Sequence, residues 1–175
     1  RAKASMPAAA STYSKSYRYF CEGAAPAFLD RGQGCHVWDV DGNEYIDYVL
    51  ALGPVVVGYN DESVNQSVIE QMQKGMSFSL ATEIEVELAE KLIKFIPCAE
   101  MVKFVKNGSD ATSAAVRLAR AFTGREKVLC CGYHGWHDWY IGTTPNDMGV
   151  PKHLKELTIP FPYNDIEKLE SIFCK

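Results

Sequence analysis

The sequence has no excess of basic residues, no long apolar run and no paired cysteines among its 175 residues. The formal net charge is −4, so the basic stripe typical of nucleic-acid binders is missing. No apolar run approaches the roughly 20 residues of a membrane span. The six cysteines form no CxxC pair and no disulfide framework. We therefore expect free thiols in a reducing compartment, a cytoplasmic location, and neither nucleic acid nor membrane as a partner.

The length suits one domain or slightly more. Residues 1–22 form an N-terminal arm in which basic residues stand among Ala, Ser and Thr before the first acidic residue, Glu22. We interpret the arm as solvated, with a targeting segment as the alternative. Because the chain begins with Arg, we also expect that its true start is missing.

Residues 23–75 are predicted to form a small-domain segment. Strand-forming residues between Ala27 and Val49 alternate with Gly- and Asp-rich turns, which predicts a small antiparallel meander. A Gly- and Val-rich loop follows. Apolar residues at helical spacing then predict a helix near 63–74 that Gly75 ends.

Residues 76–175 alternate between helix and strand patterns, which predicts an α/β fold with a mainly parallel sheet covered by helices. An open sheet that ends after a helix is poorly covered, so we expect a fragment. The predicted strands are Met101 to Lys106, Lys127 to Cys131 and Leu157 to Phe161; the predicted helices start at Thr82 and run over 109–122 and 165–173.

A strand-to-helix turn carries the sequence Asn107-Gly108-Ser109. The first N–H groups of a helix have no internal partner and lie at the positive end of the helix dipole, so they can bind an anion. Gly108 permits close approach of the backbone, and Ser109 offers a hydroxyl. The alternative is a simple turn with an N-cap. The loop is neither a Walker A nor a GxGxxG motif.

A second motif, residues 132–139, follows the strand predicted at 127–131, at the sheet edge where α/β proteins bind ligands. Tyr133 is suited to stacking on a planar heterocycle. Two alternatives are an aromatic loop packed on its own domain and a metal site. The metal site would use Cys130, Cys131, His134 and His137, although adjacent strand cysteines point apart. Together the two motifs favour a phosphorylated, flat cofactor.

The chain from about residue 23 to about residue 144 resembles the class III aminotransferases of fold type I, and especially the glutamate-1-semialdehyde aminomutases. The resemblance implies a pyridoxal-phosphate cofactor. It rests on many landmarks in the right order: Trp38-Asp39-Val40-Asp41-Gly42, Tyr45-Ile46-Asp47-Tyr48, Gly53-Pro54, Ser77-Phe78, Thr82-Glu83, Asn107-Gly108-Ser109-Asp110-Ala111, Arg117-Leu118-Ala119-Arg120, Thr123-Gly124-Arg125 and Tyr133-His134-Gly135.

The resemblance also implies roles for individual residues. Asn107, Gly108 and Ser109 match the Ser-Gly-Thr phosphate loop and are expected to bind the cofactor phosphate. Tyr133 matches the aromatic residue that stacks on the pyridine ring, and His134 is its neighbour at the ring. The aminomutase has Ser-Gly-Thr-Glu where this chain has Asn-Gly-Ser-Asp.

On the substrate side, the resemblance places Gly53 and Pro54 in the loop that lines the substrate pocket. Arg18 matches an arginine that binds the substrate carboxylate, with a solvated arginine as the alternative. Ala51-Leu52 replaces the Ser-Trp of the aminomutase, which slightly favours a transaminase over a mutase.

The family's reaction needs an aspartate at the pyridine nitrogen and a catalytic lysine that binds the cofactor covalently. No lysine here matches that position, so we expect both residues to lie beyond residue 175 and this chain alone to be inactive. The resemblance implies an amino donor, a carbonyl acceptor and a homodimer for the full-length parent. The alternative is a truncated, non-catalytic product that binds phosphate or a partner.

Overall fold

The computed structural model describes residues 1–174 in two units, Arg1–Thr82 and the residues from Glu83 onward. Each unit is built on one small sheet with its own helices. The division into segments 1–22, 23–75 and 76–175 stays a prediction. Among residues 1–174, no helix combines the length and the apolar character required to cross a bilayer.

The N-terminal arm begins with a short helix, α1 (Ala2–Ser5), and continues through single 3-10 turns. Ser16 is its most buried residue, and its hydroxyl donates a hydrogen bond of 2.7 Å to the carbonyl of Ala8. This internal bond keeps the turns of the arm together.

The predicted meander is confirmed by three antiparallel strands in the order β1 (Leu29–Gln33), β2 (His36–Asp39) and β3 (Glu44–Ile46). The turn between β2 and β3 is tied to the carboxylate of Asp39. That carboxylate accepts the N–H of Asn43 at 2.8 Å and the N–H of Asp41 at 3.0 Å. These bonds stabilise the charged carboxylate, so the pKa of Asp39 is lowered, first by the side chain of Asn43.

The predicted helix near 63–74 is confirmed as α2 (Glu62–Lys74), which Gly75 ends. Its N-cap is Asp61, whose carboxylate accepts the N–H of Val64 at 3.0 Å. The apolar side of the helix is half exposed: 50% of Val64, 52% of Val68 and 55% of Met72 is accessible. The described residues cover this face only in part.

The second unit confirms the α/β prediction. Strand β4 (Val128–Cys130) pairs in parallel with β5 (Thr158–Pro160). The remaining elements are α3 (Glu83–Phe95), α4 (Gly108–Thr123), α5 (Asp138–Ile141), α6 (Lys152–Lys155) and α7 (Ile166–Phe173). Gly124 ends α4 in the left-handed region with φ +68, a conformation that a residue with a Cβ adopts only at a cost.

The predicted strand from Met101 to Lys106 is wrong, because residues 101–105 have no regular secondary structure and the turn into α4 begins at residue 106. A strand exists only by pairing, and no strand among residues 1–174 pairs with this segment. Its side chains are correspondingly open, with 90% of Met101 and 44% of Val105 exposed. The local pattern favours an extended backbone, but without a neighbouring strand this segment has no partner with which to form a sheet.

Candidate functional site

The start of helix α4 is held by its own polar residues. Asn107 precedes the helix, and the carboxylate of Asp110 accepts its main-chain N–H at 3.2 Å and its side-chain amide at 3.0 Å. Gly108 is the first helical residue, and a Cβ built on it would meet no atom within 4 Å. The space beside Gly108 is therefore open among the described residues, at a helix start whose first main-chain N–H groups have no internal acceptor.

Ser109 is buried beneath a loop that connects β4 to α5, residues 132–137, which we call the aromatic loop. The Ser109 hydroxyl oxygen accepts the main-chain N–H of Trp136 at 3.2 Å. Gly135 lies directly on Ser109: a Cβ on this glycine would fall against Ser109 Oγ and lie 2.9 Å from Ser109 Cβ. The aromatic loop is therefore in close contact with the first turn of α4.

Two further side chains of α4 bind the same loop. The hydroxyl of Thr112 donates to the carbonyl of His134 at 2.9 Å. The Ser113 hydroxyl lies 2.8 Å from Nδ1 of His137. On the other side of that ring, Nε2 of His137 is 3.8 Å from a carboxylate oxygen of Asp110. Polar contacts thus join the predicted phosphate segment to the predicted ring-binding residues.

The aromatic loop presents Tyr133 outward and His134 inward. Tyr133 is 77% exposed, and its ring forms a T-shaped pair with that of Tyr140 at 5.7 Å between centroids. His134 is half-buried, stacks on Trp139 at 5.9 Å, and has Nε2 2.8 Å from the carbonyl of Cys131. Because a carbonyl only accepts, Nε2 of His134 must carry the hydrogen, which leaves Nδ1 as the acceptor of the neutral ring.

A small group of packed residues lies at the base of the aromatic loop. Cys130 at the end of β4 and Tyr140 in α5 are both buried, and burial raises the pKa of the Cys130 thiol and of the Tyr140 phenol. The hydroxyl of Thr158 on β5 donates to the carbonyl of Trp139 at 2.6 Å. The adjacent strand and helix therefore fix the base of the aromatic loop.

The residues predicted for the substrate side lie in the first unit. Arg18 is exposed in the 3-10 turn Tyr17–Tyr19, and its main-chain N–H bonds the Ser16 hydroxyl at 3.4 Å. Gly53 has φ +106 and ends the turn Leu50–Leu52. All three residues of that turn have positive φ, a strained conformation for side chains with a Cβ. Pro54 follows, exposed, at the surface of the same loop.

A cavity of about 540 Å³ lies in the first unit between the arm and the meander. Its walls include Phe20, Val37 and Leu52, and the hydroxyl of Tyr59 nearby donates to Asp47 at 2.6 Å. Among the described residues that line it, Arg18 and the Gly53-Pro54 pair are absent. Ala51 and Leu52, which directly precede Gly53, do line the cavity, and the substrate role of Gly53, Pro54 and Arg18 stays a prediction.

Sequence reasoning missed the roles of Thr112, Ser113 and His137 in joining the loop to α4. Thr112 and Ser113 follow Ser109 by three and four residues, which places all three on one face of the helix. This spacing could have identified them from the sequence. His137 was considered only as a metal ligand. Across residues 1–174, no group of three or more His, Cys, Asp or Glu side chains is arranged to hold a metal ion, and the cysteines are free thiols.

This arrangement fits a phosphorylated aromatic molecule. No atom lies within 4 Å of a Cβ built on Gly108, at the N-terminus of a 16-residue helix, where the helix dipole favours negative charge. The exposed ring of Tyr133 offers a flat apolar surface on a loop that contacts the same helix. The two halves of such a ligand would therefore be recognised by two elements that are directly bonded to each other.

Comparison with known proteins agrees with this chemistry. The family profile described as aminotransferase class-III matches residues 19–171. A 3-aminobutyryl-CoA aminotransferase of Cloacimonas acidaminovorans is 46% identical over 87% of this chain and 36% of its own length. A glutamate-1-semialdehyde 2,1-aminomutase of an Exiguobacterium species is 40% identical over the whole chain and 42% of its own length. The chain thus spans about two fifths of these curated relatives.

Solved structures show the same fold. The FumI protein of Sphingopyxis sp. MTA144, in a form with PLP, superposes with a TM-score of 0.90 at 34% identity, over 99% of this chain and 41% of that protein. An omega-transaminase of Sphaerobacter thermophilus superposes with a TM-score of 0.86 at 28% identity, over 99% of this chain and 42% of that protein. The chain therefore has a partial fold of this type.

Proposed function

The chain belongs to the class III aminotransferase family, and on that premise we propose that it holds pyridoxal phosphate in an enzyme that transfers amino groups. Asn107, Gly108 and Ser109 bind the phosphate, Tyr133 stacks on the pyridine ring, and His134 lies beside the ring. One observation carries the proposal: the Trp136 N–H bonds the Ser109 hydroxyl, which joins the loop of Tyr133 to the start of α4.

The phosphate position follows from the open first turn of α4. The N–H groups of Gly108 and Ser109 belong to the helical positions that have no internal acceptor. A dianionic phosphate there gains from the helix dipole, by roughly 0.3–1 kcal/mol at an exposed site. The Ser109 hydroxyl already accepts from Trp136, so its own hydrogen remains available to donate to a phosphate oxygen.

The ring position follows from the aromatic loop. Tyr133 is 77% exposed and so can meet a flat partner, while its T-shaped contact with Tyr140 restricts its orientation. Nδ1 of His134 is an acceptor when the ring is neutral, since Nε2 is committed to the Cys131 carbonyl. His134 can therefore accept a proton or hydrogen bond at Nδ1 from a ligand beside it.

When bound, pyridoxal phosphate supplies an electron sink for chemistry at the carbon that carries the amino group. The residues of this chain bind and orient the cofactor. The reaction we propose for the whole protein moves an amino group from an amino donor to a carbonyl acceptor, or within one molecule. Relatives named for both reactions support this level of detail, at 46% identity for an aminotransferase and 40% for an aminomutase.

We propose Gly53, Pro54 and Arg18 for the substrate side of the whole protein. The strained turn before Gly53 supports this role, because left-handed residues with a Cβ are found preferentially at functional sites.

We also propose a homodimer. The half-exposed apolar faces of α2 and α3 support it, since large exposed apolar surfaces mark interaction sites. Sedimentation velocity of the full-length parent would test the dimer: a monomer at micromolar concentration would contradict it.

The cofactor site is tested by titrating the chain with pyridoxine 5′-phosphate and measuring the bound amount by equilibrium dialysis. This analogue has no aldehyde and so does not react with the twelve lysines of the chain. We expect saturable binding of one molecule per chain, at least tenfold tighter than that of pyridoxine, which lacks the phosphate. Equal affinity for the two compounds would contradict a phosphate site at α4.

The variant Gly108→Ala sharpens this test. Its Cβ would enter the open space where we place the phosphate, so binding of pyridoxine 5′-phosphate should weaken. The same change removes a glycine from a helix and should leave stability unchanged or raise it by up to about 1 kcal/mol. Loss of affinity without loss of stability therefore reports the site; unchanged affinity would contradict the position of the phosphate.

We further propose that this chain alone binds the cofactor without turnover. Among residues 107–140 the one lysine is Lys127, which is exposed and precedes β4, at the end of the strand away from the aromatic loop. Treatment with pyridoxal phosphate and borohydride, followed by peptide mapping, should label surface lysines at low and scattered stoichiometry. A single lysine labelled stoichiometrically would contradict this proposal and reveal a complete site.

A further inference from the structure

We propose that Ser113 and His137 are positioning residues that hold the ring-binding half of the cofactor site at a fixed place relative to the phosphate-binding half. The inference rests on the proposed function. Ser113 and His137 lie behind the residues that we assign to the cofactor, and we propose no contact between them and the ligand. Its effect is transmitted through the aromatic loop.

The geometry that supports this role is a row of three contacts along one face of α4. Ser109, Thr112 and Ser113 follow each other at helical spacing and bind successive parts of the loop: the N–H of Trp136, the carbonyl of His134 and the ring of His137. The last is the one contact of this row that joins two side chains. It connects the second turn of the helix to the end of the loop, just before α5.

The loop needs such a restraint because its own backbone is permissive. Gly132 has φ +82 and Gly135 has φ +103, and these two glycines flank Tyr133 and His134. Glycine adopts many backbone conformations, so a segment between two glycines is poorly fixed by its local sequence. Contacts to α4 at the far end of the loop therefore act together with the Tyr140 contact in fixing the position of the Tyr133 ring.

The Ser113–His137 contact persists in both protonation states of the histidine. The Ser113 hydroxyl can donate to a bare Nδ1, or accept from Nδ1–H in the other neutral tautomer and in the protonated ring. Protonation also places a positive charge 3.8 Å from the carboxylate of Asp110 in the first turn of α4. A hydroxyl, as donor and acceptor, is the group suited to this position.

The test compares a ligand that contacts both halves with one that contacts a single half. Pyridoxine 5′-phosphate meets the helix and the ring site, so its affinity depends on their relative position. Inorganic phosphate meets the helix alone. For Ser113→Ala and His137→Ala we expect pyridoxine 5′-phosphate to bind about three- to tenfold more weakly, with the competition constant of inorganic phosphate unchanged. Ser113→Thr keeps the hydroxyl and should retain the affinity of the unsubstituted chain.

Ser171→Ala is the matched control. It deletes a helical hydroxyl that donates to the carbonyl of Lys168 at 2.7 Å on α7, and it should leave both affinities unchanged. Equal affinity of Ser113→Ala and the unsubstituted chain for pyridoxine 5′-phosphate would overturn the inference. So would a parallel loss for both ligands, which indicates general unfolding of the site. If the unsubstituted chain fails to bind pyridoxine 5′-phosphate, the proposed function itself is wrong.

Discussion

Replacing Gly135 by alanine should separate the aromatic loop from helix α4 and destabilise the second unit. Two effects combine at this position. The backbone has φ +103, which L side chains adopt at a cost, and the added Cβ would fall against Ser109 Oγ and lie 2.9 Å from Ser109 Cβ and 3.1 Å from Ser109 Cα. The neighbour at the closest approach is a buried serine at a helix start, which has little freedom to move away.

Each effect has its own magnitude. The left-handed backbone costs a residue with a Cβ roughly 1–2 kcal/mol. Overpacking of a filled contact adds roughly 1–3 kcal/mol. Gly135→Ala should therefore lower the free energy of unfolding by about 2–5 kcal/mol. The same chain provides a control: Gly132 has φ +82, but a Cβ there would meet nothing within 4 Å. Gly132→Ala should cost only the backbone part, about 1–2 kcal/mol.

The assay is urea denaturation followed by tryptophan fluorescence. In a Trp38→Phe background, the two remaining tryptophans of the chain, at positions 136 and 139, lie in and beside the aromatic loop. We expect the denaturation midpoint to fall more for Gly135→Ala than for Gly132→Ala, with a difference of about 1–3 kcal/mol. Equal midpoints for the two variants would show that the loop does not rest on Ser109, and the described site would be wrong.

Three further predictions concern other groups. Ser109→Ala removes the acceptor of a part-buried loop N–H, so the free energy of unfolding should fall by about 0.5–1.5 kcal/mol, measured by urea denaturation. A hydrogen bond to Asp47 raises the pKa of Tyr59 to about 12. This bond contributes its whole stabilisation below the usual tyrosine pKa, about 10, and the contribution is lost as the pH rises from there to about 12. The difference in tyrosinate absorbance between this chain and Tyr59→Phe should show one phenol that ionises at higher pH than usual. Asp47→Asn should abolish this upward shift. Burial raises the pKa of the Cys130 thiol, so mass spectrometry after brief iodoacetamide treatment should show the exposed cysteines labelled first and Cys130 last; early labelling of Cys130 would contradict its burial under the loop.

The sequence was informative where local chemistry determines structure. The meander was predictable because glycine and aspartate mark its turns, and helix α4 because Asn107 and Gly124 mark its two ends. The parallel pairing of β4 and β5 followed from the alternation of helices and strands. The place of both motifs at junctions between elements was likewise predictable, whereas their role in binding a cofactor stays a prediction.

The sequence was less informative where structure depends on distant partners. Ser109 and Trp136 are 27 residues apart, and nothing in either motif specified their hydrogen bond. The segment from Met101 to Lys106 has a strand pattern but no strand to pair with among residues 1–174, so the pattern alone misled. The apolar stripe of α2 was predictable, whereas what covers it was not, because burial is a property of the neighbours and not of the helix.

Amide-resolved NMR of the isotope-labelled chain during titration with pyridoxine 5′-phosphate tests the cofactor site most directly. We predict saturable chemical-shift changes at the main-chain N–H groups of Gly108 and Ser109 together with Tyr133 and His134, all with one affinity. Titration with inorganic phosphate should move the first pair alone. Shifts confined to the neighbourhoods of surface lysines, or the absence of shifts at Gly108 and Ser109, would contradict the assignment of this site to the phosphate and ring of pyridoxal phosphate.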